Sequence, residues 1–190
     1  RYDNNRLKVF QFIKEKIDEG QQIYIVYPLI EESEKLDFKD LMDGYESLSR
    51  SFPIPKYQIS IVHGKMKAVD KAYEIKRFEE GKTQIMIATT VIEVGVNIPN
   101  ASVMIIESAE RFGLSQLHQL RGRVGRGNEQ SFCILMTGSK LSDESKIRVQ
   151  TMVKTNNGFE IAEVDLKLRG PGNILGTQQS GILRLKIADI

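Results

Sequence analysis

The sequence contains five short, almost wholly apolar runs, each of strand length, set among charged segments of helical character. The runs cover residues 23–27, 59–62, 85–88, 103–106 and 132–136. A strand that is apolar on both faces must be covered by helices on both sides, which is typical of parallel sheets. Strands that alternate with helices at this spacing predict an α/β fold: a parallel sheet flanked by helices, with right-handed crossovers.

The first helix is predicted from its apolar spacing, with Asp3 as the N-cap. Its stripe facing the sheet would comprise Leu7, Phe10, Ile13 and Ile17.

The pattern changes after the fifth apolar run. Ser142 would start a helix to about residue 154, and residues 159–167 a second, shorter one. The following residues, 168–182, are rich in glycine and predict an ordered loop or a linker. We therefore expect two units, an α/β domain over 1–138 and a helical hairpin with a glycine-rich loop over 139–190.

Length and composition narrow the class of protein. The chain has 190 residues and a net charge of +2, enough for one full domain and an appendage. It contains no apolar run of about 18 residues, so no membrane span is expected. Cys133 is the only cysteine, which excludes an internal disulfide, fits a reducing compartment and predicts a small core residue.

The charge is unevenly distributed along the chain. Residues 1–110 carry 15 Lys and Arg against 18 Asp and Glu, whereas residues 111–190 carry 12 against 7. A basic half indicates contact with a polyanion, although basic faces are also often merely solvated.

The basic half begins close to a run of arginines that are separated by glycines. Residues 116–127 read Q-L-H-Q-L-R-G-R-V-G-R-G, with arginine at 121, 123 and 126. Interior glycines cost a helix roughly 1 kcal/mol each relative to alanine, so a solvated basic helix end does not explain them. Glycine lets backbone approach a ligand and arginine makes forked contacts with phosphate. The run therefore predicts a phosphate-binding segment.

A second glycine motif, Gly81-Lys82-Thr83, is interpreted as a helix end. A phosphate-binding loop needs another glycine five residues before Gly81, and Lys76 stands there. The motif would also have to follow a strand and open a helix, and here it does the reverse. The chain thus shows no site that could hold ATP and Mg²⁺ alone.

Two loops follow predicted strands at the edge where open α/β sheets bind ligands. One spans residues 88–99, and the other contains His63, Gly64 and Lys65. Hydroxyl and lysine side chains can contact nucleic-acid phosphates there. Alternatively, the first loop is an ordinary polar loop without a ligand, and His63 has a structural role only. A zinc site is not expected, because the two histidines and one cysteine are not at ligand spacing.

These motifs resemble those of superfamily 2 helicases. Residues 119–126 fit the pattern Q-x-x-G-R-x-G-R of motif VI, and residues 88–99 are similar to motif V. The tail, D-L-K-L-R-G-P-G followed by G-T-Q-Q-S-G, resembles the translocation motif shared by RecG and Mfd. Residues 30–34, 63–66 and 91–95 favour the RecG family.

The resemblance implies a role for individual residues. It places Arg123 and Arg126 at the γ-phosphate as catalytic residues. The nucleotide would also meet Gly95, Asn97 and Gln119. Contacts to DNA, or coupling of hydrolysis to movement, would involve His63, Gly64, Lys65, Thr89, Thr90, Arg148 and Gln179. The sequence departs from the family at Asn97, where aspartate is common, and at Gln178, where a basic residue is usual.

The resemblance further implies a second RecA-like motor domain of an ATP-dependent DNA helicase that remodels stalled forks and Holliday junctions. ATP and Mg²⁺ would be held mainly by a first motor domain, so the isolated chain is expected to be inactive. Expected partners are double-stranded and branched DNA and the N-terminal motor and wedge domains, without a membrane, in the bacterial cytoplasm at the nucleoid.

Two alternatives stay open at this point. The chain could come from an Mfd-type transcription-repair translocase, which differs mainly in its partner. It could instead be a non-catalytic DNA-binding module, which would bind DNA tightly with a steep salt dependence.

Overall fold

The computed structural model describes residues 5–29, 34–89, 100–125 and 130–169, and of residues 34–39 only the backbone. None of the helices in these ranges is long and apolar enough to cross a membrane.

Five parallel strands form the centre of the described structure, which confirms the predicted fold class. They are β1 (Gln22–Val26), β2 (Ile59–Val62), β3 (Ile85–Ala88), β4 (Ala101–Ile106) and β5 (Phe132–Leu135). Their order in the sheet is β2-β3-β1-β4-β5, and every neighbouring pair is parallel.

Helices cover the sheet on both faces, because the central strands are apolar on both. The helices are α1 (Arg6–Asp18), α2 (Glu34–Ser51), α3 (Ala68–Glu79), α4 (Leu114–Arg121), α5 (Asp143–Lys154) and α6 (Gly158–Arg169). Every residue of β1, β3 and β4 is buried, whereas the edge strands β2 and β5 are partly exposed. Two apolar cores result, one on each side of the sheet.

The interpretation of Gly81-Lys82-Thr83 as a helix end is confirmed. Gly81 adopts a φ of +70° directly after α3, a conformation that glycine adopts readily. Thr83 is buried, and its hydroxyl lies 2.9 Å from the hydroxyl of Ser60. Gln22 donates to the carbonyl of Thr83 at 2.8 Å, so the motif fastens the start of β3.

The prediction for the first helix was wrong in two details. The helix begins at Arg6 with Asn5 as its N-cap residue, two residues after Asp3. Leu7 is 80% exposed, whereas the buried face is centred on Ile13. At 3.6 residues per turn, Leu7 lies roughly 120° around the helix from Ile13, outside the face that meets the sheet.

The predicted helical hairpin is present as α5 and α6. Ser142 is the N-cap of α5, and its hydroxyl accepts a hydrogen bond from the Ser145 amide at 3.2 Å. Met152 and Ile161 are buried in the same core as the sheet, so the hairpin packs onto the α/β domain. The glycine-rich tail lies outside the described residues.

We predict that Gly44→Ala destabilises the fold. Gly44 lies within α2, and a Cβ there would overlap the hydroxyl end of the buried Tyr27 ring. Overpacking costs about 1–3 kcal/mol, which should exceed the helix-propensity gain of about 1 kcal/mol from replacing glycine. Urea unfolding of the purified chain measures the difference.

The control is the same substitution in a Tyr27→Leu background, where the ring is gone. There Gly44→Ala should be neutral or stabilising. Equal destabilisation in both backgrounds would contradict the overlap.

Candidate nucleotide and DNA interface

The arginine-bearing helix α4 is fixed to the sheet by leucines. Leu114, Leu117 and Leu120 are buried in the core and define its inner face. At its start, the amide of Gly113 donates to Oε1 of Gln116 at 3.0 Å. The opposite face, which carries the polar residues, is therefore held in a defined position.

A sharp turn between β4 and α4 was not predicted from the sequence. Ser108 adopts the left-handed conformation, with φ and ψ both 48°. This conformation is uncommon for residues other than glycine. The only sequence signal was a small polar residue at the end of an apolar run.

The first two arginines of the 116–127 segment, Arg121 and Arg123, have different surroundings. Arg121 is half-buried, and its guanidinium donates to the carbonyls of Met152 and Thr155, each at 2.9 Å. Arg123 is also half-buried, yet within the described residues its guanidinium makes no hydrogen bond or ion pair. Arg121 is thus bound to the hairpin, whereas the side chain of Arg123 is not.

The positive charge of Arg123 affects the buried Tyr24. The pKa of the Tyr24 phenol is raised to about 12, mainly by burial and then by the negative charge of Glu79, while the charge of Arg123 lowers it in part. Gln119, four residues before Arg123, is exposed on α4, whereas Arg123 lies in the turn after this helix. Arg126, the third arginine of the segment, lies outside the described residues.

The second predicted contact surface lies where β2 and β3 end. The amide of Thr89 donates to the carbonyl of Val62 at 3.3 Å, so the structure brings Thr89 next to His63. Gly64 and Lys65 are exposed and His63 is half-buried. Thr89 itself is only 3% exposed, so its hydroxyl does not lie at the surface. Thr90, Gly95 and Asn97 lie outside the described residues.

The pKa of His63 is lowered from its usual value. The largest cause is burial, followed by the positive charges of Lys71 and Lys65. At neutral pH His63 is therefore uncharged, and the positive charge of this surface comes from its lysines.

Arg148 on α5 connects the hairpin to the segment before α4. Its guanidinium donates to the carbonyl of Phe112 at 3.2 Å and to the hydroxyl of Ser145 at 3.1 Å. It thus connects α5 to a loop of the α/β domain. Gln179 lies outside the described residues.

Two grooves run beside α4. The larger, of about 790 Å³, lies between α4, β5 and α5 and includes His118, Arg121 and Met152 in its lining. The smaller, of about 380 Å³, lies between α4 and α6 and includes Gln119 and Arg169. Both grooves lie along the contact between the arginine helix and the hairpin.

The described residues contain no cluster of three or more metal-ligating side chains. Burial raises the pKa of the Cys133 thiol to about 11, so this cysteine is a protonated side chain packed against the core. The exposed Lys65 and the half-buried Arg123 place positive charge at the two candidate surfaces, which suits phosphates.

A parallel sheet of this order, with glycine-spaced arginines at the end of the helix between β4 and β5 and just after it, defines a class of protein. The family described as "Helicase conserved C-terminal domain" matches residues 6–128. The chain belongs to this family. A second family, "ATP-dependent DNA helicase RecG, domain 3, C-terminal", matches residues 155–190.

Particular relatives confirm the resemblance to RecG. The chain is 49% identical to the ATP-dependent DNA helicase RecG of Synechocystis sp., covering 97% of this chain and 22% of the relative. It is 49% identical to the RecG of Bacillus subtilis, covering 96% and 26%. The chain thus spans only part of the curated relatives that it matches.

Solved structures agree with the sequence comparison. A structure of RecG bound to a three-way DNA junction matches with a TM-score of 0.74 and 40% identity, over 92% of this chain and 22% of that chain. Domain 2 of the DEAD-box helicase Mss116p, bound to an RNA duplex, matches with a TM-score of 0.57 and 18% identity, over 85% and 69%. The second likeness shows the fold alone.

We predict that the stability of the chain falls on acidification partly because of His63. Its folded pKa is lowered, so the unfolded state binds the proton more readily. Stability is therefore full above the unfolded pKa of about 6.5 and decreases as the pH falls from there toward the folded pKa. Urea unfolding at pH 7.5 and pH 5.5 should show a smaller acid loss in His63→Gln than in the unmodified chain.

Lys71→Gln is the partial control, because it removes one of the charges that lower the pKa. It should reduce the acid loss less than His63→Gln does. An acid loss that is the same in all three proteins would contradict the assignment to His63.

Proposed function

We propose that this chain is the second motor domain, with the translocation hairpin, of a RecG-type ATP-dependent DNA helicase that remodels branched DNA. The family membership and the RecG relatives support this proposal. The observation that carries it is Arg123, a half-buried arginine whose guanidinium makes no hydrogen bond or ion pair to any described residue. A cation held in such a position fits a phosphate of a bound nucleotide.

The nucleotide would lie between this domain and a first motor domain of the same protein. Arg123 and Arg126 would stabilise the charge at the γ-phosphate, a contribution worth about 10³–10⁵ in rate in comparable hydrolases. Gln119, Gly95 and Asn97 would line the same cleft. The described residues offer no carboxylate cluster for Mg²⁺, so the metal and the rest of the triphosphate are assigned to the other domain.

The DNA would meet a different surface, where β2 and β3 end. Gly64 permits close approach of the backbone to a phosphate, and Lys65 supplies charge. His63 would act as a neutral hydrogen-bonding group, because its pKa is lowered. Thr90 would contact the backbone directly, and the buried Thr89 would reach it only after a movement of this loop.

The hairpin would convert hydrolysis into movement along DNA. We assign residues 1–138 to the motor domain and 139–190 to the hairpin and its loop, in which Gln179 would touch DNA while the motor cycles. Arg148 would hold the hairpin in register through the Phe112 carbonyl. Partners would be branched DNA and the N-terminal motor and wedge domains, in the bacterial cytoplasm at the nucleoid.

We predict that Arg123→Lys in the full-length protein abolishes most ATP turnover and leaves DNA binding nearly intact. Lysine keeps the charge but loses the forked contact with phosphate. We expect a loss of at least about 10³-fold in turnover, the lower bound for such arginines. The measurements are phosphate release and fluorescence-anisotropy binding of a forked DNA.

Arg111→Lys is the matched control, since Arg111 is exposed and paired with Asp40. It should change neither quantity. Parallel loss of turnover and DNA binding in Arg123→Lys would instead place Arg123 at the DNA.

We predict that Arg148→Ala and Gln179→Ala leave the DNA-stimulated ATPase largely in place but reduce fork unwinding at least about tenfold. A tenfold loss corresponds to about 1.4 kcal/mol on the effective barrier. Neither residue would be needed to bind or hydrolyse ATP, so only the coupling should fail. Both activities are measured on the same preparations.

Lys146→Ala is the control on the same helix, because Lys146 makes only an exposed ion pair with Asp143. Such pairs are worth about 0–1 kcal/mol, so unwinding should be unchanged. Unwinding and hydrolysis that fall in proportion in Arg148→Ala and Gln179→Ala would contradict the coupling role.

A further inference from the structure

We propose that Arg121 is a positioning residue that fastens the turn of the hairpin to the arginine helix and thereby transmits movement of Arg123 to the hairpin. This inference rests on the proposed function and deepens it. It assigns to Arg121 a role that differs from phosphate binding.

The contacts of Arg121 are made at the end of α5. One guanidinium nitrogen donates to the carbonyls of Met152 and Thr155, each at 2.9 Å. The last carbonyls of a helix have no partner within the helix. The Thr155 amide donates to the carbonyl of Thr151. Arg121 donates to two of the carbonyls after Thr151, those of Met152 and Thr155. The end of α5 is therefore capped by a side chain from another helix.

His118 completes the contact from the same face of α4. The second guanidinium nitrogen of Arg121 lies 3.0 Å from Nδ1 of His118. A guanidinium can only donate, so Nδ1 is the acceptor. The other edge of the ring faces the start of α6, where a Cβ on Gly158 would lie 3.3 Å from Nε2. His118 and Arg121 together thus contact both sides of the turn that joins α5 to α6.

The connection from Arg121 to Arg123 is short and tightly bonded. The amide of Arg123 donates to the Leu120 carbonyl at 3.0 Å, and that of Gly122 to the His118 carbonyl at 3.1 Å. The backbone from 118 to 123 therefore moves as one turn. A pull on the Arg123 side chain by a phosphate would displace Arg121, and with it the end of α5.

A second arginine holds the opposite end of the same helix pair. Arg148, in the first half of α5, donates to the Phe112 carbonyl just before α4. Arg121, at the end of α4, donates to carbonyls at the end of α5. Without Arg121, α5 would remain attached near its start and be released at the turn.

Among the described residues, a groove lies beside the contact. Its volume is about 790 Å³, and its lining includes His118, Arg121, Met152 and Val153. We expect the hairpin turn to shift toward this groove.

The test uses the full-length protein with Arg121→Gln and Arg121→Lys. Lysine retains the charge, but a single ammonium group lacks the fork that reaches two carbonyls and His118. We expect ATP turnover within about twofold of the unmodified protein. Fork unwinding should fall at least about fivefold in both variants.

Hydrogen exchange gives a readout that does not depend on activity. Amides 155–161 should exchange faster in both Arg121 variants, because the end of α5 has lost its cap. In the unmodified protein, a nonhydrolysable ATP analogue should change exchange in this segment, and in the variants that response should disappear. Unchanged exchange in the sheet strands would show that the variants are folded.

Arg77→Gln is the matched control. Arg77 is half-buried like Arg121, but its guanidinium bonds Glu74 and Gln58 and, among the described residues, makes no hydrogen bond with the hairpin. It should leave unwinding, turnover and exchange at 155–161 unchanged.

The outcomes separate this inference from the proposed function. Suppose that the unmodified protein unwinds forks. If the Arg121 variants then unwind equally well, or lose ATP turnover in parallel with unwinding, the role of Arg121 is overturned and the proposed function is not. An unmodified protein that does not unwind forks would overturn the proposed function and this inference with it. Exchange at 155–161 that is the same in Arg121→Gln and Arg77→Gln would overturn the contact itself, whatever the activity.

Discussion

The structure depends on the burial of β1 on both of its faces. The strand lies at the centre of the sheet, and its five residues, including Gln22, are all buried. Burial of apolar surface is the dominant favourable contribution to folding, so both faces of this strand require a covering layer. The helices therefore pack on two sides, and the connections that carry the candidate site are placed at the ends of strands.

The burial of apolar surface also holds the hairpin against the α/β domain. Leu114, Leu117 and Leu120 of α4 share a core with Met152 of α5 and Ile161 of α6. The arginine helix is therefore packed between the sheet and the hairpin. A helix in that position can respond to a ligand on one side and act on the hairpin on the other, provided that its polar residues have different partners. Arg121 and Arg123 meet that condition.

An ion pair lies where two neighbouring strands of the sheet end. Arg6 and Glu107 form a two-bond ion pair, at 3.0 and 3.1 Å, where β1 and β4 end. The order of the strands reverses between β1 and β4, and open α/β sheets often bind ligands at such a point. In this chain the side chains of Arg6 and Glu107 occupy that point between β1 and β4. The predicted contacts lie instead after β2, after β3 and at the end of α4.

The sequence by itself determined the strands, the order of helices and strands, the hairpin and the family. Each of these depends on local periodicity or on a contiguous motif, such as the apolar run at β1 or the glycine-spaced arginines. Only the tertiary structure decided that Leu7 is exposed, that Thr89 is buried and that Arg121 faces the hairpin. The reason is that a side chain's exposure and bonding depend on neighbours that are distant in sequence. The carbonyls of Met152 and Thr155 lie 31 and 34 residues from Arg121, so no spacing within residues 116–127 could predict that Arg121 binds them.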